Sequence, residues 1–230
     1  MNSMKRLLAF VLIFCALLVA FSCAPTLPVA SDSKILRWIE QVTLGFEYGG
    51  EGRVCSRWAR RPTLSMHGGS EAQTAVVRRA VKRLNETLAK TPIGAIEIIA
   101  PEIYKSDIRV YFAPLSELPK LAEENGFPYT PGNLGYFWTF WNQNHEIQRA
   151  FVLLASDTAY QKYLPHLALE EITQTLGLSG DSPEFKDSIF YSSGDEHGEV
   201  DELSALDKKL IIFFYNHIQP GAREKDVQKA

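Results

Sequence analysis

The side chains with the clearest chemical potential are Glu170, Glu171 and Gln174, in a stretch whose apolar residues recur at helical spacing. This stretch stops at Gly177, a helix-ending signal. Glu170 and Gln174 lie four residues apart and share a helix face, with Glu171 one step round. Carboxylates can act as general bases, and carboxylate and amide oxygens can bind a hard cation or hydrogen-bond. Asp181 follows closely enough to join such a site.

Three uses of these residues remain open. In the first, Glu170 and Gln174 hydrogen-bond each other and need no cation. In the second, a hard cation such as calcium lies among Glu170, Asp181 and backbone carbonyl groups. In the third, Glu170 or Glu171 is the general base of a metal-free hydrolysis, since adjacent carboxylates in a cleft can raise each other's pKa, and Gln174 polarises a carbonyl group.

Two histidines near this helix are weaker candidates. His166 lies four residues before Glu170 and could form a metal clamp with it, although Pro165 indicates a helix start at that point. His197 follows two acidic residues in a glycine-flanked loop, and we favour a solvated loop there.

The N-terminus predicts export. Lys5 and Arg6 precede an apolar run from Leu7 to Phe21 of 15 residues, the pattern of a signal peptide and shorter than the roughly 18–20 residues that span a bilayer. Ser22 and Cys23 resemble the lipobox of bacterial lipoproteins, which implies lipid attachment at Cys23 and favours the outer membrane. We therefore expect a periplasm-facing, membrane-anchored protein with a signal peptide (1–22), a lipidated tether (23–33), one domain (34–222) and a polar tail (223–230).

Charge and cysteine content limit the function further. Removing the leader takes away two of the 24 basic residues and none of the 27 acidic ones, which leaves a net charge of −5. This balance gives no reason to expect nucleic acid as a partner. Cys55 is then left without a second cysteine for an internal disulfide, and we expect it to be a buried small apolar side chain.

The hydrophobic pattern predicts alternating helices and strands. Glu71–Lys90 is the clearest helix, with an apolar stripe every four residues and a basic outer face. The other predicted helices are 34–44, 115–125, 158–178 and 203–217, and the strands are 56–66, 95–99, 108–112, 136–141 and 150–154. Aromatic residues fill the strand 136–141, so Trp138 and Trp141 are candidate partner-binding residues, although alternation places one side of this strand in the core.

The helix around Glu171 resembles the zinc-binding helix of metzincin proteases, H-E-x-x-H-x-x-G-x-x-H. Glu170 stands at the first histidine, Glu171 at the catalytic glutamate, Gln174 at the second histidine and Gly177 at the glycine. Gly180 falls at the third histidine. The resemblance implies an α+β, zincin-like (metzincin-type) fold: a mixed twisted sheet with a long backing helix, a site helix and a C-terminal helix.

The resemblance does not extend to the metal ligands. Catalytic zinc takes three protein ligands, most often neutral imidazoles, and keeps one position for water. Gln174 offers only a weakly binding amide oxygen, and Gly180 offers no ligand. The residues therefore argue against zinc-dependent proteolysis, and we expect no metal and no cofactor.

The C-terminal half is similar to a family of proteobacterial lipoproteins of unknown function. The matching segments are Glu170–Leu178, Asp181-Ser182, Ser188–Phe190, Leu203–Asp207 and Pro220-Gly221. Within them, Phe190 stands where a matrixin has its Met-turn methionine.

Two functions follow as hypotheses. The first is a non-catalytic, pseudo-metalloprotease domain that binds a peptide or cell-envelope partner, with Gly177, Asp181, Trp138 and Trp141 as candidate contact residues. The alternative is a hydrolase of envelope peptides, metal-free or with an atypical metal, that uses Glu170, Glu171 and Gln174 as catalytic residues.

Overall fold

The computed structural model describes residues 33–45, 54–102, 105–193, 196–197 and 199–230. The predicted signal peptide and Cys23 lie outside the described residues, so export and lipid attachment stay predictions. Leu36–Ala230 form one structural unit. No helix in the described part of the chain has the length and apolar character needed to cross a bilayer.

The described helices and strands follow the predicted order. The helices are α1 (Ser33–Leu44), α2 (Glu71–Leu88), α3 (Leu118–Asn125), α4 (Leu164–Gln174), α5 (Ala205–His217) and α6 (Glu224–Val227). The strands are β1 (Thr63–His67), β2 (Glu97–Ile98), β3 (Ile108–Ala113), β4 (Gly135–Trp141), β5 (Ile147–Ala155), β6 (Ser192–Ser193) and β7 (Glu196–His197). Short 3-10 turns precede α3 and α4.

Five strands form a mixed sheet in the order β2-β1-β3-β5-β4. The first four run parallel, and β4 pairs with β5 in the antiparallel direction at the end of the sheet. A second, two-stranded sheet joins β6 to β7. Together with the long helix α2, the helix α4 and the C-terminal helix α5, this sheet confirms the predicted α+β architecture.

One face of the sheet packs against α2 and α4, and their contact fixes the position of the candidate site. The apolar stripe of α2 is buried there from Val77 onward, whereas Ala72 in its first turn is exposed. The helix begins at a capping box between Ser70 and Gln73. On the opposite face, Leu118 and Ala122 of α3 pack with Phe127, Phe151 and Leu153 in a second apolar cluster.

Element boundaries differ from the predictions by a few residues in several places, and three differences are larger. The chain from 56 to 62 is not a strand, because the backbone of Arg57 bonds to His145 and Ile147 and the Trp58 side chain turns inward to α4. The helix α4 runs from Leu164, after a 3-10 turn and next to Pro165, to Gln174, rather than from 158 to 178. Part of the predicted polar tail forms α6, and Val227 is buried in the main core.

Candidate functional site

The end of α4 is held by long-range hydrogen bonds. The indole Nε1 of Trp58 donates to the carbonyl oxygen of Thr175 at 2.9 Å, and the hydroxyl group of Tyr215 donates to that of Leu176 at 2.8 Å. Both carbonyl groups follow Gln174, the last helical residue, where no further helical turn supplies a donor. Two distant segments therefore stabilise the exit that the sequence marks only by Gly177.

Glycine is the amino acid that meets the two structural requirements at position 177. Its φ is 102°, in the region that favours glycine, and it follows the last turn of α4. A Cβ atom at this position would lie 2.1 Å from the carbonyl oxygen of Ser56. Gly177, which we predicted as a contact residue for a partner, is thus placed in the interior of the protein.

Glu170 pairs with His166, one turn earlier on α4. The His166 Nε2 atom lies 3.0 Å from a Glu170 carboxylate oxygen, and Nδ1 lies 2.7 Å from the carbonyl oxygen of Val200. A carbonyl oxygen only accepts, so Nδ1 carries a proton. A second proton is then shared between Nε2 and Glu170, because two acceptors would otherwise face each other.

The pKa of His166 is raised above its ordinary value of 6.5. Burial lowers it, but the hydrogen bond and charge of Glu170 outweigh burial, with help from the Val200 carbonyl group and the charge of Asp181. A raised folded-state pKa contributes stability below about pH 6.5, and that contribution is lost as the pH rises through the folded-state value.

We therefore expect the free energy of unfolding to fall above pH 6.5 more steeply in the native protein than in His166→Gln. Urea titrations at several pH values measure this difference. The control is His217→Gln, because His217 is exposed at the end of α5. Equal pH profiles for the native protein and His166→Gln would contradict the shared-proton arrangement.

Gln174 pairs with Asp181 rather than with Glu170. Its Nε2 atom donates to Asp181 Oδ1 at 3.0 Å, and the residue is 1% exposed. Its Oε1 atom accepts no hydrogen bond from the described residues. Gln174 therefore forms a hydrogen-bonded acid–amide pair, as in the first alternative, but Asp181 supplies the acid in place of Glu170. The turn at Gly177 brings Asp181 back to the helix.

Glu171 is covered by the start of β4. The residue is 4% exposed, and a Cβ atom on Gly135 would lie 2.4 Å from Glu171 Oε1. Burial raises the pKa of Tyr129, and the charge of Glu171 raises it further, so the loop before β4 also lies near this carboxylate. At the position of the metzincin general base, the structure therefore has a carboxylate closed off by backbone.

Helix α1 covers the loop that leaves α4. The backbone N–H of Gly180 donates to Val42, Ser179 Oγ to Gly45, and Ser182 Oγ to the Gln41 side chain at 2.6 Å. A Cβ atom on Gly180 would lie 2.0 Å from the Gln41 carbonyl oxygen. Any side chain at the third-ligand position would collide with α1.

These residues do not fit a zinc ion. Glu170 is engaged by His166, Gln174 by Asp181, and the space beside Gly180 is filled by α1. In the described part of the chain, no three His, Cys, Asp or Glu side chains converge as a metal site. The donor chemistry and the packing both argue against the metal that the metzincin resemblance implies.

The two motif segments after the site are joined by Asp207. This buried carboxylate accepts from Ser188 Oγ at 2.7 Å and from the backbone N–H groups of Ile189 and Ser204 at 3.1 and 2.8 Å. Sequence reasoning did not give Asp207 this role, although Ser204 and Asp207 have capping-box spacing. The bonds place Phe190 in the core, where the metzincin motif has methionine.

The remaining predicted contact residues lie near the β4–β5 hairpin. Trp138 is half-buried and its ring stacks with Phe127 at 6.2 Å, whereas Trp141 is 45% exposed. Apart from them, a cavity of about 340 Å³ with a mixed polar and apolar lining lies beside His166, and its charged lining residues are Lys162, Glu199 and Asp201.

Cys55 is buried, as predicted. Burial raises its pKa to about 12, so the thiolate is scarce at neutral pH. We expect a maleimide to label Cys55 in urea but not in the native protein, as mass spectrometry of the intact chain detects. Complete labelling under native conditions would contradict the buried position.

Comparison with known proteins gives one family match. The model of a family described as "Protein of unknown function (DUF2927)" matches residues 32–230. No curated protein matches the chain. Two solved structures of myroilysin are similar to it, each with 13% identity and a TM-score of 0.42, covering 70% and 81% of this chain and 95% and 96% of myroilysin. Since the family model matches nearly all of the domain, the chain belongs to the family of unknown function DUF2927.

Proposed function

We propose that this chain is an exported, lipid-anchored binding domain that retains a protease-like scaffold without zinc-dependent catalysis. The observation that carries the proposal is the closed site on α4. Gln174 is buried against Asp181, Glu171 lies under Gly135, and α1 fills the place of a third ligand. A general base needs hydrogen-bond access to a substrate or water, and the cover over Glu171 prevents it.

The β4–β5 hairpin is the best candidate for the partner-binding region. Trp141 is the large apolar side chain with high exposure in the described part of the chain, and Trp138 and Phe140 are half-buried on the same strand. Tryptophan is enriched at the energetic centres of protein interfaces. The partner would be a peptide or a protein of the cell envelope, reached from a membrane anchor at Cys23.

Metal analysis of the native protein, purified without chelators, tests the loss of zinc chemistry. We expect substoichiometric zinc and no cleavage of a peptide library. One equivalent of zinc, together with peptide cleavage that is lost in Glu171→Gln, would refute the proposal. Binding of an envelope partner that is weakened in Trp141→Ala but unchanged in Glu171→Gln would support it.

The alternative is metal-free hydrolysis, which is favoured by His166, since this side chain lines a cavity and lies 3.0 Å from the Glu170 carboxylate. This mechanism predicts peptide cleavage that persists in chelator. It also predicts loss of cleavage in Glu170→Gln or Glu171→Gln, a result that separates it from a binding function.

A further inference from the structure

The outward face of α2 carries three cationic side chains within little more than one helical turn. The side chains of Arg78, Arg79 and Lys82 are exposed, and none of them forms a hydrogen bond or an ion pair with the described residues. Lys82 follows Arg79 by three residues and Arg78 by four, and residues at these spacings are neighbours on a helix surface. We call these three residues the α2 basic patch.

The fold gives this patch no compensating charge. Like charges at a spacing of four residues destabilise a helix. The acidic residues of α2, Glu71 and Glu86, lie in its first and last turns, and neither forms an ion pair with the described residues. Asp201 and Glu202 are already bound by Arg83. The patch is therefore a local excess of positive charge on a chain that is acidic as a whole.

The patch points away from the sheet. Val77 and Leu84 of α2 are fully buried in the main apolar core, and the patch lies on the other side of this helix. Trp138 and Phe140 belong to the second apolar cluster, on the opposite face of the sheet, where α3 packs. A surface that contacts the patch would therefore leave the face with these two aromatic residues uncovered.

The composition of this helix face favours a lipid surface over a protein partner. In α2, which the structure describes throughout, the other exposed residues are Glu71, Ala72, Ala75 and Glu86. Protein interfaces take most of their binding energy from aromatic and arginine side chains in pockets, and lysine and alanine are depleted in them. A fluid anionic bilayer needs no pocket, and each basic residue near its surface strengthens binding about fivefold.

We infer that the α2 basic patch docks on an anionic lipid surface and thereby orients the domain at the membrane. The inference rests on the proposed lipid anchor at Cys23. The predicted tether (23–33) spans at most roughly 40 Å, which is about the diameter of a domain of this size, so the tether alone does not fix the orientation. Docking through α2 would turn Trp138 and Phe140 toward the aqueous phase, where a partner can reach them.

Fluorescence quenching tests this orientation with the full chain reconstituted in vesicles. The label is a fluorophore attached through maleimide to Ala75→Cys, which lies three residues before Arg78 and four before Arg79 on the exposed side of α2. The quencher is acrylamide, because it is neutral and is not repelled by anionic lipid. We expect phosphatidylglycerol to remove most of the quenching that occurs in vesicles of phosphatidylcholine alone.

The triple variant Arg78→Gln/Arg79→Gln/Lys82→Gln should restore the quenching in phosphatidylglycerol vesicles. Loss of three charges lowers the ratio of docked to free domain about a hundredfold. By contrast, Arg78→Lys/Arg79→Lys should keep the label shielded, because attraction to a lipid surface depends on charge and not on the paired donors of arginine.

Two matched controls accompany these variants. Lys105→Gln/Lys120→Gln/Lys229→Gln removes the same charge from three exposed lysines outside α2 and should leave the shielding unchanged. A label at Glu123→Cys lies on α3, on the opposite face of the sheet, and should be quenched equally in both kinds of vesicle. The chain without an added cysteine measures background labelling, and thermal melting verifies that each variant is folded.

Several results would overturn the inference. One is equal quenching of the Ala75→Cys label with and without phosphatidylglycerol, and another is shielding that survives the triple glutamine variant. Shielding of the Glu123→Cys label instead would show that the opposite face docks. Loss of shielding in Arg78→Lys/Arg79→Lys would contradict docking by charge and indicate recognition through paired donors.

Separate measurements distinguish this inference from the proposed function. The intact mass of the membrane-extracted chain reports the anchor, and a mass without added acyl chains would refute lipid attachment at Cys23. Shielding of the Ala75→Cys label by added phosphatidylglycerol vesicles would still support the patch in that case. Peptide cleavage would refute the non-catalytic function and leave the patch in place.

Discussion

Gly177→Ala is expected to lower the free energy of unfolding by about 4 kcal/mol or more, a large part of the stability of a typical domain. Two effects add. The left-handed backbone disfavours any Cβ by roughly 1–2 kcal/mol. The new methyl group would also lie 2.1 Å from the Ser56 carbonyl oxygen, so the exit of α4 and the chain before Trp58 must move apart. That movement breaks the bond from the Trp58 indole to Thr175.

Gly126→Ala is the matched control for this change. Gly126 ends α3 with a φ of 80°, but a Cβ atom there would meet nothing within 4 Å. This variant isolates the cost of placing a Cβ atom on a left-handed backbone, and we expect the free energy of unfolding to fall by about 1 kcal/mol. Chemical denaturation measures both variants. Similar losses would show that the contact with Ser56 has no energetic role and that Gly177 is only a helix stop.

Asp207→Asn is expected to destabilise the domain by about 3 kcal/mol. One carboxylate accepts from the Ser188 hydroxyl group through Oδ1 and from the backbone N–H groups of Ile189 and Ser204 through Oδ2. Asparagine keeps the two N–H bonds only if its NH₂ group faces Ser188, whose hydroxyl group must then accept instead of donating, and the charge that strengthens all three bonds is lost. The loss frees the segment before Phe190 and the start of α5 together. Loss of near-ultraviolet circular dichroism from the core aromatic residues should therefore accompany the fall in stability.

Asp226→Asn gives a control of the same chemistry. Asp226 occupies the same position in the capping box of α6, where it accepts from the backbone of Arg223 at 3.0 Å, but it is exposed. We expect a change within about 0.5 kcal/mol, as for most surface substitutions. If Asp207→Asn had an equally small effect, Asp207 would be a helix cap and not the link between the two motif segments.

Much of the fold could be predicted because its signals are local. The apolar stripe of α2 and the apolar runs of β3 and β5 are patterns of neighbouring residues, and such patterns direct a helix face or a buried strand toward the core. Segment 56–62 could not be predicted, because the side chains of Arg57 and Trp58 form long-range contacts. Trp58 bonds to α4, and Arg57 donates to the carbonyl groups of Phe214 and Tyr215 at the end of α5.

In the candidate site, too, some features follow from local sequence and others depend on long-range contacts. That Glu170, Glu171 and Gln174 lie together on a helix that stops before Gly177 could be predicted, because a spacing of four residues and a glycine are properties of the local chain. The sequence also shows that the metal ligands of a metzincin are missing.

The partners of these side chains could not be predicted, because packing brings them together from separate parts of the chain. Glu170 pairs with His166, Gln174 with Asp181, and Glu171 lies under Gly135 of a strand far away in sequence. The physical reason is that a buried polar group must bond to whatever the packing brings within about 3 Å, and packing depends on residues distant along the chain. Helix α1 and β4 close the space that the sequence left open.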